Sequence, residues 1–251
     1  MPRVIMVAQE TGGVGKTTVT RGLAEAVEEA AIMELESAHR LTEFPTATDT
    51  ATPGAVRWFE ISASREQIEA SGGMAAREEL DPILNALCEV APPTIVDIGA
   101  NKAASFFDTL PTMMPLLVER GIEFGVMVIA TADASSLADA SKLLHRSKGW
   151  AKAQFAVANE VRGPIDPDLL RKTLGKATTT TLRRFDLAPS ARSLLEAAAL
   201  RGIRAIDRDA LMREQKPAAA FRTIRDLEAF REAVMLAVRP AAEWLIDAQS
   251  K

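Results

Sequence analysis

The stretch "VIMVAQETGGVGKTTVTRGLAEAV", residues 4–27, restricts the fold more than any other part of the chain. A nearly continuous apolar run enters a glycine-rich turn, which leads through Gly15-Lys16-Thr17 into a helical pattern. A strand that is apolar at almost every position needs cover on both faces. A tight strand-to-helix turn of this kind belongs to a parallel sheet, where each strand returns through a helix. The residue types in "GGVGKTT" also suit one kind of ligand. Glycine tolerates positive φ and has no Cβ, so the amides of Gly12, Gly13, Val14 and Gly15 can converge on phosphate oxygens. The unpaired amides of the following helix add partial positive charge. Lys16 is then placed to bridge β- and γ-phosphates, the Thr17 hydroxyl to ligate Mg²⁺, and Thr18 to touch the α-phosphate.

The rest of the chain repeats the alternation. Strand-like runs occur at 3–9, 30–36, 55–62, 93–100, 124–130 and 153–160, with helical patterns at 16–30, 74–90, 104–120 and 134–149. The last third reads as mostly helical: 165–174, 190–201, 206–214, 221–238 and a tail after Pro240. The expectation is an α/β fold, doubly wound, with a mainly parallel sheet, helices on both faces and a helical C-terminal third. No linker divides it, so residues 1–251 form one expected P-loop domain. At 251 residues and 47% hydrophobic content, such a domain can build a full core.

Cys88 is the only cysteine, which excludes an internal disulfide, and its apolar context predicts a buried inert thiol. No basic-then-apolar leader opens the sequence and no apolar run approaches the ~20 residues of a membrane span, so a cytoplasmic protein is expected. His39 and His145 stand apart in sequence and give no support for a metal site of their own. Charge is uneven: residues 1–170 hold 14 Lys/Arg against 24 Asp/Glu, and residues 171–251 hold 16 against 10. The basic third can meet an anion such as DNA or consist of ordinary solvated helix faces. "LEAFREAVMLAV" places Leu227, Phe230, Val234 and Val238 on one helical face. Its acidic residues fit packing on the core better than a membrane surface.

Asp97 closes the apolar run "TIVD", as a Walker B aspartate does, where it would support Mg²⁺ through a water. The loop "GGVGKTT" is similar to the deviant Walker A loop, K-G-G-x-G-K-T-T, of the ParA/MinD family of P-loop ATPases (SIMIBI-like). The resemblance extends through "IMELES", "TIVDIGAN" and "FAVANEV", over roughly residues 1–165. "GANKAASF" resembles the second switch of conjugation and plasmid-stability members of the TraL/StbB kind.

The resemblance implies ATP and Mg²⁺ as ligands, with ATP favoured over GTP because no Asn-Lys-x-Asp guanine motif is present. It also implies a nucleotide-dependent homodimer and a protein partner that stimulates slow hydrolysis. Such a switch would serve plasmid or DNA partition, conjugative transfer or cargo positioning. Lys16, Glu36 and Asp97 would be the catalytic set. Glu34 and Glu36 stand where relatives have Asp-x-Asp, and the extra methylene predicts slow turnover. The alternative for that pair is two solvent-facing strand carboxylates. Asn159 would read the adenine edge or form a turn. Arg183, Arg184 and Arg192 would give non-specific, salt-sensitive DNA contacts.

Two positions depart from the family pattern. The family's first loop lysine, which reaches the partner's phosphates, aligns with Thr11, and Glu10 adds an acid near a polyanion. Such an acid is unfavourable unless it points away or pairs. Lys102, just after the Walker B strand, is either an ordinary surface lysine or a substitute for that cation. The alternative functions are a metabolic P-loop enzyme, such as a small-molecule kinase or a ligase like dethiobiotin synthetase, and a non-hydrolysing nucleotide-binding scaffold.

Overall fold

A computed structural model describes residues 1–61, 74–90 and 93–247, with the side chains of 74–78 left out. Seven described strands form one sheet: β1 (Arg3–Ala8), β2 (Ala31–Glu36), β3 (Val56–Glu60), β4 (Thr94–Ile98), β5 (Glu123–Ala130), β6 (Ala153–Asn159) and β7 (Thr178–Leu182). Their order is β3-β2-β4-β1-β5-β6-β7 and every pairing is parallel. This is a doubly wound α/β architecture built on an all-parallel sheet. The glycine-rich turn leaves the central strand β1, and the chain order changes direction on either side of it. Ligands of open α/β sheets bind in such a crevice at the carboxyl ends of the strands.

Helices cover both faces. On one lie α1 (Lys16–Ala26), α7 (Pro189–Gly202) and α9 (Pro217–Ile246), packed on Ile5, Val7, Ile32, Ile95 and Met127. On the other lie α2 (Met74–Cys88), α3 (Ala103–Thr109), α4 (Met114–Glu119), α5 (Ala134–Ser147) and α6 (Pro167–Leu174), packed on Met6, Leu35, Val96, Phe124 and Val128. α8 (Arg208–Glu214) lies between α7 and α9 in sequence. Burial on both faces explains why β1 reads as an unbroken apolar run: Val4 to Ala8 are all fully buried.

Helix α9 is packed on the core, with Leu227, Val234 and Val238 fully buried and Phe230 partly buried. Among the described residues no helix is long and apolar enough to cross a membrane. Gly22 in α1 permits the close contact with α9, since a Cβ there would overlap the Val234 side chain.

The structure departs from the sequence pattern in several places. Thr178–Thr181, in the third expected to be mostly helical, forms most of edge strand β7. Four β-branched residues favour extended backbone, and Thr180 Oγ1 donates to the Ala237 carbonyl at 2.6 Å, joining the strand to α9. The predicted helix 104–120 is broken into α3, a short 3₁₀ turn (Leu110–Thr112) and α4. Pro111 and Pro115 lack the N–H that a continuous helix requires. In contrast, α9 continues through Pro240. The carbonyl deprived of its donor belongs to Leu236, an exposed residue, while buried Ala241, Ala242 and Leu245 hold the last turns to the core. Within α7, buried Ala199 adopts φ 53°, so the predicted helix 190–201 is not continuous. Cys88 is half-buried at the edge of the core, not fully enclosed as expected. Ser62, the predicted end of β3, and residues 248–251 of the predicted tail lie outside the described residues.

Candidate functional site

The loops after β1, β2, β4, β5, β6 and β7 emerge at one end of the sheet because all seven strands are parallel. Among them the loop after β1 has the geometry anticipated from its glycines. Gly13 and Gly15 have φ of 72° and 91°, values that side-chain-bearing residues rarely adopt. Gly15 is the N-cap of α1 and supplies no capping side chain, so the first-turn amides lack that partner. Val14 is buried and anchors the loop, whereas Gly12 and Gly13 are exposed. Thr17 and Thr18 are half-buried in the first turn of α1.

Lys16 is drawn inward. Its Nζ lies 2.6 Å from Asp97 Oδ1 and 3.2 Å from Glu36 Oε1. Lys16 is only 8% exposed, Glu36 9%, and Asp97 is fully buried. Sheet register explains the cluster. Asp97 pairs with Val7 on one side and Glu34 on the other, so Glu34, Glu36 and Asp97 share the face beneath α1. Asp97 Oδ2 is buried without a hydrogen-bond partner, a free acceptor beside Lys16. An unpartnered carboxylate oxygen is the kind of ligand that suits Mg²⁺, which takes few protein ligands and retains waters and phosphate oxygens. No described group of three or more His, Cys, Asp or Glu is arranged to hold a metal ion by itself.

Neither Glu34 nor Glu36 faces solvent, which corrects that alternative. Glu34 is fully buried; it accepts from the Arg40 amide at 2.7 Å and pairs with His39 Nδ1. His39 is therefore not isolated, and it also stacks on Trp58 with ring centroids 5.9 Å apart. Glu36 reaches both Lys16 and Arg40, whose Nε is 3.9 Å away. Its other oxygen crowds Gly99, where an added Cβ would lie 2.7 Å from Oε2 and 2.9 Å from the Leu35 carbonyl. Gly99 thus lets the loop after β4 approach β2. Arg21 of α1 binds Glu43 and donates to the Arg40 carbonyl at 3.1 Å. The loop after β2 is consequently connected to Lys16 through Glu36 and to α1 through Arg21.

Glu10 is directed at the start of α3, where its Oε1 accepts from the Ala104 amide at 2.7 Å. Burial raises its pKa; the Ala104 amide opposes this, Asp139 adds to it and Arg146 opposes it. Thr11 Oγ1 donates to Asp139 Oδ2 at 2.9 Å. Buried Gln9 ties Glu10 to α5: its Oε1 accepts from the Glu10 amide at 2.8 Å and its Nε2 donates to the Ser136 carbonyl at 3.1 Å. Lys102 is the N-cap residue of α3, and its amide donates to the Gly99 carbonyl at 3.2 Å.

Asn159 is buried against the glycine loop. Its Nδ2 donates to the Val14 carbonyl at 2.8 Å, and its Oδ1 accepts from the Val161 amide at 3.3 Å. Both ends of the amide are engaged within the chain. An added Cβ on Gly15 would overlap the Asn159 amide, a second reason for glycine there. Arg183, Arg184 and Arg192 line a cavity of about 340 Å³ with Gly13, Gly15, Thr18 and Asn159. Phe185 and Phe230 complete its apolar wall in an edge-to-face pair, and Arg184 is paired with Asp186 at 2.8 Å. These arginines therefore adjoin the glycine loop.

Sequence spacing missed Gln9 and Arg40. Neither belongs to a local motif; Gln9 gains its place from Ile129 and Ser136, and Arg40 from Glu34 and Glu36.

No family model matches the sequence, and neither does any curated protein. Several solved structures follow a similar course. A ParA family ATPase from Chlorobium tepidum TLS is 15% identical, covering 78% of this chain and 92% of its own, with a TM-score of 0.46. The MinD cell division protein of Aquifex aeolicus is 14% identical, with coverages of 90% and 96% and a TM-score of 0.44. A Cyanothece McdA(D38A)–ATP complex is 13% identical, with coverages of 93% and 96% and a TM-score of 0.41. Similarity at this level does not extend to the chemistry of the site, which rests on its own residues.

Proposed function

We propose that this chain is a ParA/MinD-like P-loop ATPase whose ATP- and Mg²⁺-bound form dimerises and whose slow, partner-stimulated hydrolysis resets it. The expected setting is plasmid or DNA partition, conjugative transfer or cargo positioning. One observation carries the reading: α1 begins at a left-handed Gly15 with Lys16 held on buried Asp97 at the end of β4.

A triphosphate tail placed at the first turn of α1 would meet its amides and the Lys16 ammonium. Lys16 would exchange a carboxylate for phosphate oxygens, and Glu36 would keep Arg40 as its cation. That exchange loosens the link between α1 and the loop after β2, giving a local charge event that moves a loop. Thr17 and Asp97 would hold Mg²⁺, with Asp97 acting through a water. When bound, Mg²⁺ would neutralise charge on the β- and γ-phosphates. Glu36 would orient water once Lys16 has turned to phosphate. The Arg183, Arg184 and Arg192 cavity beside Gly13 and Gly15 gives room for the nucleoside, with sequence-neutral DNA contact as a further use of the same arginines.

Titration calorimetry with ATP and Mg²⁺ tests this reading. Binding is expected to the unaltered chain and not to a folded Lys16→Ala variant; binding by neither would remove nucleotide chemistry altogether. A second reading, a non-hydrolysing scaffold, draws on the use of Glu34 to anchor the loop after β2. It predicts nucleotide binding without phosphate release even when DNA and cell lysate are supplied.

A further inference from the structure

Arg162 approaches the rim of the glycine loop from a different strand. It closes the short 3₁₀ turn Glu160–Arg162 that follows β6. Its Nη2 lies 3.7 Å from the position a Cβ would occupy on Gly13. Its Nε is 3.2 Å from Asp133 Oδ2, and both side chains are partly exposed. Asp133 is the residue before α5, yet its carboxylate caps none of that helix's amides. The carboxylate instead faces Arg162.

The placement of Arg162 is built in. Asn159 joins this turn to the glycine loop through the Val14 carbonyl and also accepts from the Val161 amide. Gly163, at φ 114°, turns the chain away immediately afterwards. The other groups of the loop supply little free charge. Lys16 is enclosed by Asp97 and Glu36, Glu10 is directed at Ala104, and neutral Thr11 is tied to Asp139. A polyphosphate at this loop brings several negative charges. Arg162 offers a planar fork of donors with the geometry of phosphate oxygens, restrained by one partly exposed carboxylate.

We propose that Arg162 is a phosphate-contacting cation of this site, held by Asp133 before nucleotide binds and transferred to the polyphosphate when it does. This rests on the nucleotide-binding function proposed above. Asn159 is then a positioning residue, setting where Arg162 stands relative to Gly13. Asp133 competes with the nucleotide for the same guanidinium and lowers its affinity.

The test is a double-mutant cycle read by calorimetry with ATP and Mg²⁺, using Arg162→Ala, Asp133→Asn and the double variant. Arg162→Lys serves as the conservative control, and circular dichroism checks the fold of each. Arg162→Ala is expected to weaken ATP binding by about tenfold to a hundredfold, the range of a charge-assisted hydrogen bond. Arg162→Lys should recover part of that loss. Asp133→Asn should tighten binding, and the gain should vanish when Arg162 is also absent, since the two groups act on one another. Unchanged affinity in folded Arg162→Ala would overturn this inference alone. An equal effect of Asp133→Asn with and without Arg162 would also overturn it. No ATP binding by the unaltered chain would overturn it together with the proposed function.

Discussion

Glu10 shows how one residue can look misplaced in a motif and be accommodated by its tertiary neighbours. An acid two positions before Gly12 threatens a phosphate site, but the side chain instead supplies an acceptor to the Ala104 amide. Burial raises its pKa, so the folded state retains the proton more strongly than the unfolded chain. The stabilising linkage is complete below the ordinary carboxylate pKa and is lost as pH rises through the folded value. Gln keeps an acceptor and cannot ionise. Thermal melts from ~pH 4 to ~pH 7 should therefore show the unaltered chain losing stability relative to Glu10→Gln as pH rises. A constant difference across that range would show that the half-buried carboxyl does not ionise differently in the two states.

At the scale of elements, the contact between α1 and α9 carries the site as well as the core. Helix α1 begins with Lys16, and its middle rests on α9 through Gly22. Gly22→Ala places a methyl into Val234, and overpacking of this kind costs about 1–3 kcal/mol. The expected result is a lower melting temperature, with partial recovery when Val234→Ala is added. Failure of the second change to restore stability would locate the cost elsewhere. The same α9 receives Thr180 of β7, so the last helix also secures the edge strand that leads to Arg183 and Arg184.

At the scale of the whole molecule, parallel strands bring six loops to one end, and the candidate site is a product of that convergence. Lys16, Asp97 and Glu36 come from three chain segments, and Asn159 and Arg162 from a fourth. A loop system joined through Lys16 suits a protein whose surface changes with nucleotide. Light scattering should show the mass doubling when ATP and Mg²⁺ are added, with no doubling for Lys16→Ala. A constant mass for a chain that demonstrably binds ATP would remove the dimer switch while leaving the nucleotide site in place.

The parallel α/β fold, the glycine loop and the Asp97 strand end were legible in the linear sequence, because each is written in local chemistry. Apolar runs record burial on two faces, glycines record positive φ, and an acid after an apolar strand marks a strand end beneath a helix. Tertiary structure decided what local patterns cannot express. It turned Thr178–Thr181 into an edge strand, because β6 and α9 supply partners that propensity alone does not reveal. It also directed Glu10 to Ala104, enclosed Glu34 with His39 and Arg40, and brought Arg162 to Gly13 across 149 residues of sequence. Such contacts depend on which strands are neighbours in the sheet, a property of the folded chain and not of any short stretch within it.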